Sequence, residues 1–224
     1  MKYIIIILTV FFMGTNHGKA QSCNYYYLQN NKTVEITIFD KKQRMSGKLI
    51  YKVSDVKKSG ASVSSKVNSE ILDKNGKLIG SGASTMQCSN GILKVDMKMM
   101  VPVESQSMYT ADATGVSSYI EYPVSLSVGD KLPDANFSMD MNMNTGIKGH
   151  VDIDVTERMV IAKESITTPA GTWDAYKITS KQKMLIRMDI GIPRRDEVTE
   201  WYVPNFGVVK TQSKAGGTEL TSIK

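Results

Sequence analysis

The sequence predicts an all-β, mainly antiparallel fold: a strongly curved sheet or partly open β-barrel with one short helix. Three observations carry that expectation. Apolar residues alternate with polar ones along most of the chain, as in Thr33–Phe39, where Val34, Ile36 and Ile38 share one face. The alternating runs are separated by short Gly- and Asn-containing turns. No stretch is rich enough in Pro, Gly or Ser to act as a linker, and antiparallel sheets of this length curl or close on themselves.

The elements follow in order. After Thr33–Phe39, a turn through Lys41–Arg44 leads to Lys48–Val53. Ser62–Leu72 continues with Val63, Val67 and Ile71 among serines and charges. Asp73-Lys-Asn-Gly-Lys77 and Ser89-Asn-Gly91 read as hairpin turns, because Asn and Gly tolerate the positive φ these turns require. Pro102–Asp112 lacks alternation and reads as the one short helix, with Pro102 in its first turn. Val151, Ile153 and Val155 alternate with Asp152, Asp154 and Thr156. Pro169-Ala-Gly171 turns the chain into a long strand, Thr172–Arg187. Pro204-Asn-Phe-Gly207 separates Trp201-Tyr-Val203 from Val208-Val-Lys210, and Ala215-Gly-Gly217 precedes a last strand, Thr218–Lys224.

The N-terminus reads as a secretory signal peptide spanning residues 1–20. Lys2 gives a positive start, Ile4–Met13 is apolar apart from Thr9, and Gly18-Lys-Ala20 offers small residues at a cleavage site. The apolar run is too short for a transmembrane helix, which needs about 20 residues. Residues 21–224 then form a single β-rich domain. Cys23 follows closely, but Ala20-Gln-Ser22 is a poor match to the small-residue context of lipoprotein signals. Of the formal net charge of +6, Lys2 and Lys19 contribute two units. What remains is mild and dispersed, and neither Lys181–Arg187 nor Arg194-Arg195 has the interleaved aromatics of a single-strand binder, so nucleic acid is not an expected partner. The chain is expected in the periplasm or at the cell surface, where an even pair of cysteines, Cys23 and Cys88, reads as one disulfide, the alternative being two free thiols.

The residues offer little for catalysis. His150 is the one histidine beyond the signal, since His17 lies within it; no Gly-x-Ser-x-Gly elbow and no phosphate-binding glycine loop occurs. His150, Asp152 and Asp154 share a strand face that could take a divalent cation, but the opposite face is a well-formed apolar one, which makes the polar triplet the solvent side. The expectation is a non-enzymatic protein without a cofactor or resident metal.

Methionine is the unusual content. The chain has 14, and they cluster: Met97 and Met99 on one strand face with Met100 on the other; Met139, Met141 and Met143; Met184 and Met188. Soft thioethers suit Cu(I), and flexible methionines also fill cores or line pockets for adaptable ligands. Met97, Met99, Met139, Met141, Met143 and Trp201 are the expected lining of a ligand site. Trp201 and Tyr202 point to opposite faces of their strand.

Several motifs together resemble a known family. These are Cys23 with the aromatics after it; Asp73–Lys77 followed by Cys88; Tyr122-Pro with Val128-Gly-Asp-Lys-Leu-Pro133; Ile166-Thr-Thr-Pro-Ala-Gly-Thr172 leading to Tyr176-Lys-Ile178; and Glu200-Trp-Tyr-Val-Pro-Asn-Phe-Gly-Val-Val-Lys210. They are similar to the domain-of-unknown-function 3108-like, or TapB-like, envelope proteins of Bacteroidetes. The resemblance implies a curved antiparallel sheet and supplies no catalytic residue. The expected role is an exported envelope protein that binds an apolar ligand or lipid in its curved sheet. The alternatives are a surface protein that engages an envelope partner through sheet edges and a Met-rich copper-handling protein.

Overall fold

In the computed structural model, the described residues are 23–101, 118–142, 148–187 and 191–224. They form twelve antiparallel strands: β1 (Thr33–Asp40), β2 (Met45–Ser59), β3 (Ser62–Asp73), β4 (Leu78–Ser89), β5 (Ile92–Asp96), β6 (Tyr119–Pro123), β7 (Ala135–Asn142), β8 (Lys148–Thr168), β9 (Gly171–Arg187), β10 (Gly191–Val203), β11 (Gly207–Ser213) and β12 (Gly216–Ile223). The expected signal peptide, the expected helix at Pro102–Asp112, Met143 and Met188 lie outside the described residues.

All twelve strands belong to one sheet in the order β6-β5-β4-β3-β2-β1-β12-β11-β10-β9-β8-β7. The first strand therefore pairs with both the second and the last, Ile36 opposite Leu220 on one side and Leu49 on the other. Two meanders joined through β1 and β12 curl into a barrel that is closed except for one seam, between β6 and β7. Edge strands invite pairing with other chains, and here the two edges are turned toward each other.

Turn chemistry fixes the register. In the β3–β4 turn, the Asp73 carboxylate accepts from the backbone N–H of Asn75 (2.8 Å) and Lys77 (2.9 Å), and Gly76 takes φ +81°. In the β1–β2 turn, Asp40 accepts from the N–H groups of Lys42 and Arg44, and the Arg44 guanidinium pairs with it. These donors hold the Asp40 carboxyl down at about 2. At the start of β12, Gly216 has φ +136°, and a Cβ there would run into the Phe39 carbonyl, so this close approach of β12 to β1 requires glycine.

Bulges set what faces inward. In β8, Val151, Ile153 and Val155 are buried, and the register then shifts between Thr156 and Met159, where Glu157 has φ +52°. Beyond the bulge Arg158 and Val160 face inward instead. Ahead of the first residue of β7, the loop after β6 continues its edge: Gly129 N–H donates to the Val160 carbonyl, and Leu132 N–H to that of Arg158.

The N-terminal segment closes the barrel end where β10 turns into β11. A 3₁₀ turn, Tyr26–Leu28, buries Tyr27 and Leu28. Tyr27 packs edge-on to Phe206 and Tyr51, and Tyr26 N–H donates to the Asn205 carbonyl. The Cys23–Cys88 disulfide, which closes a span of 65 residues, fastens this plug to β4. Burying such aromatic side chains contributes about 1.5–3 kcal/mol each.

Candidate functional site

The inner faces of β1, β2, β4–β6 and β9–β12 line a half-open cavity of about 520 Å³, within the range of small-molecule sites. Alternation places its walls. From β1 come Ile36 and Ile38, from β2 Leu49 and Tyr51, from β5 Leu93 and Val95, and from β6 Ile120 and Tyr122. Met86, Met99, Met100 and Met184 add flexible thioethers. Tyr27 of the plug closes the cavity on one side. The β1–β2 turn at Asp40 and the β11–β12 turn at Ser213–Gly216 border it at the other end.

One wall is different. Arg194, Asp196, Val198, Glu200 and Tyr202, alternate residues of β10, all line the cavity, so a ladder of polar groups runs down this wall; Asp40, Ser46, Gln182, Thr211, Gln212, Ser213 and Thr218 add further polar lining. Arg194 and Asp196 form an ion pair at 2.6 Å. Deeper, Tyr122 Oη donates to Glu200 Oε2 at 3.0 Å, and the Tyr122 ring stacks on Tyr202 with centroids 4.8 Å apart and planes 10° from parallel. Tyr202 Oη lies 2.9 Å from Tyr25 Oη, which ties this cluster to the N-terminal plug. Arg158 stands behind: its guanidinium lies over the Tyr122 ring, 4.9 Å from the centroid, and it is not part of the cavity wall.

Burial sets the electrostatics here. Desolvation raises the Glu200 carboxyl above its ordinary range, while the Arg158 charge and the Tyr122 hydrogen bond pull it back. The Tyr122 phenol is pushed well up, first by burial and then by the Glu200 charge; burial likewise raises Tyr202 and lifts Tyr51 to about 12. These phenols stay protonated.

The residues singled out from the sequence are placed as follows. Met99 lines the cavity. Met97 and Met139 are buried, at 0% and 2% exposure, and are not in its wall. Met97 and Met99 do not share a strand face: β5 stops at Asp96, whose carboxylate accepts from Lys98 N–H and starts a 3₁₀ turn, Met97–Met100. Met141 lies on β7, and Met143 falls outside the described residues. Trp201 is buried on the side of β10 away from the cavity. Its indole N–H donates to Glu164 at 2.7 Å, with Lys177 and Lys210 near its ring. Sequence reasoning missed Met86, Met100, Met184 and the β10 ladder. The one legible signal was that Arg194, Asp196, Glu200 and Tyr202 keep the period of two.

A second polar cluster lies on the outer face of β7–β9. Asp140 faces His150, and Ser138 faces Asp152, across the β7–β8 ladder. His150 Nδ1 is 2.6 Å from Asp140 Oδ1, and Nε2 is 3.0 Å from both Asp152 Oδ1 and Ser138 Oγ. Ser138 itself donates to Asp152, and Arg187 pairs with that carboxylate. The hydrogen bond to Asp140 is the largest influence raising the His150 pKa. A carboxylate on each nitrogen favours the protonated ring, which has no lone pair to take the Ser138 proton. The arrangement is a clasp between strands. Among the described residues no group of three or more His, Cys, Asp or Glu is arranged to hold a metal ion, and no helix is long and apolar enough to cross a membrane.

Two solved structures share this architecture. A candidate exported protein with a YmcC-like fold from Bacteroides fragilis is 23% identical, with a TM-score of 0.72 over 88% of this chain and 96% of that one. A candidate lipoprotein from Parabacteroides distasonis is 21% identical, with a TM-score of 0.74 over 91% of this chain and 100% of that one. At these identities the likeness establishes the fold. No curated protein matches the chain. The family model described as DUF3108-like matches residues 29–224, nearly the whole barrel from the end of the plug to the last strand, and the chain therefore belongs to the DUF3108-like family.

Proposed function

We propose that this protein is exported to the cell envelope and holds an apolar small molecule, of lipid character, inside its barrel. The observation that carries the reading is the cavity of about 520 Å³, walled by aliphatic, aromatic and methionine side chains and plugged at one end by Tyr27. A packed barrel of this kind fills its interior with its own side chains; one that leaves such a volume has room for a guest. Export is supported by the three-part pattern of residues 1–20 and by the Cys23–Cys88 disulfide, a bond that persists in oxidising compartments.

Native mass spectrometry with organic extraction, on protein purified from the envelope of cells that make it, tests the reading. A stoichiometric apolar mass that co-purifies and leaves on extraction is the expected result. A clean apo mass would move the account to a protein partner at the barrel surface.

A further inference from the structure

The cavity is not uniformly apolar, and its most buried charged group is one carboxylate. Glu200 is 6% exposed and lines the cavity wall. Its Oε2 accepts from Tyr122. Among the described residues, Tyr122 is the one side chain that hydrogen-bonds it, and no cation lies within ion-pairing distance of the group. Arg158, the cation behind the wall, donates from Nη1 to the carbonyls of Glu121 and Pro133, and its plane lies over Tyr122. Pure hydrocarbon against Glu200 would cover the carboxylate without giving it a second donor, which is unfavourable. An anionic group would meet Glu200 and, higher on the same strand, Asp196.

We propose that the cavity's occupant is an amphiphile carrying a hydrogen-bond donor, an amine or a hydroxyl, that reaches Glu200 Oε1. This rests on the reading of the cavity as a ligand site. The body of the molecule lies against Ile38, Val95 and Ile120, and the donor completes the set that Tyr122 begins. The polar ladder gives the length: six residues of β10 separate Glu200 from Arg194, about 20 Å at the rise of an extended strand, enough for a chain of a dozen or more carbons between the deep carboxyl and the outer ion pair. Arg194 and Asp196 then bracket whatever polar group stands at the other end.

Competition against diphenylhexatriene, an all-hydrocarbon fluorophore, tests this with three molecules of one chain length: dodecylamine, 1-dodecanol and methyl laurate, which has no donor. The amine or the alcohol is expected to displace the fluorophore at about tenfold lower concentration than methyl laurate, the ratio given by one charge-assisted or buried hydrogen bond. Amine ahead of alcohol identifies an ammonium partner, and the reverse identifies a hydroxyl. Glu200→Gln is expected to erase most of the amine's advantage over methyl laurate; should that variant not fold, the wild-type ranking decides. Equal displacement by all three, with the fluorophore bound, overturns the donor inference and leaves the cavity reading standing. A fluorophore that does not bind at all removes both.

Discussion

Arg158 and Glu121 join the two edges of the barrel. Nη1 of Arg158, on β8, donates to the Glu121 carbonyl on β6 at 3.1 Å and to that of Pro133, just before β7, at 2.9 Å. One guanidinium thus bridges the seam that the strand ladders leave open. Arg158 is 1% exposed, and its Nε and Nη2 have no hydrogen-bond partner among the described residues. A buried cation with spare donors is costly to hold; its retention here is explained by the seam carbonyls it satisfies and by the charge it sets against Glu200.

Arg158→Met keeps the volume and removes the bridge. It leaves two carbonyls without their donor and Glu200 without its nearby cation, so a loss of about 2–4 kcal/mol is expected. Urea denaturation of both proteins measures it. A variant within about 0.5 kcal/mol of wild type would show that the seam does not depend on Arg158.

The disulfide fastens the plug that floors the cavity. Its closed loop of 65 residues corresponds to roughly 4 kcal/mol on the chain-entropy model. A Cys23→Ser, Cys88→Ser double variant is expected to unfold at lower urea concentration by about that free energy. It should also bind diphenylhexatriene less tightly, because Tyr27 is no longer held against Phe206 and Tyr51. Unchanged stability would mean that the tyrosine packing alone holds the plug.

The His150 clasp makes stability pH-dependent in a defined direction. Its folded pKa is raised above the ordinary 6.5 by the Asp140 hydrogen bond and by Asp152. The protonated ring is what the two carboxylates stabilise, so the contribution is complete below pH 6.5 and is lost as the pH rises through the folded pKa. His150→Gln should therefore cost most in mildly acid buffer and progressively less toward alkaline pH. His150 is partly exposed, which keeps the effect small. A difference that is flat, or that grows with pH, would contradict this sign.

The turns were legible because their chemistry is local: Asp73 satisfies its own turn through Asn75 and Lys77, and no distant residue is needed to predict it. Alternation likewise located most strands and their apolar faces. The site was harder for a physical reason. A bulge changes which residues point inward, and nothing in Thr156-Glu157-Arg158-Met159 announces that the register shifts there and turns a charged residue into the barrel. The same limit applies to the methionines. Asp96 caps a 3₁₀ turn and breaks the period of two, so Met97 goes to the core while Met99 and Met100 reach the cavity. The β10 ladder kept its period, but Arg194, Asp196 and Glu200 have the composition of a solvent face, and only the closure of the sheet places them inside.

Whether the interior takes an apolar guest is read by titration with diphenylhexatriene. Wild-type protein and Val95→Trp, which sets an indole into the cavity from β5, are compared for fluorescence enhancement at matched stability. The account predicts saturable one-to-one binding to wild type, weakened about tenfold or more in the variant as a filled cavity loses the ligand's contacts. Equal binding by the two proteins, or none by wild type, would contradict it.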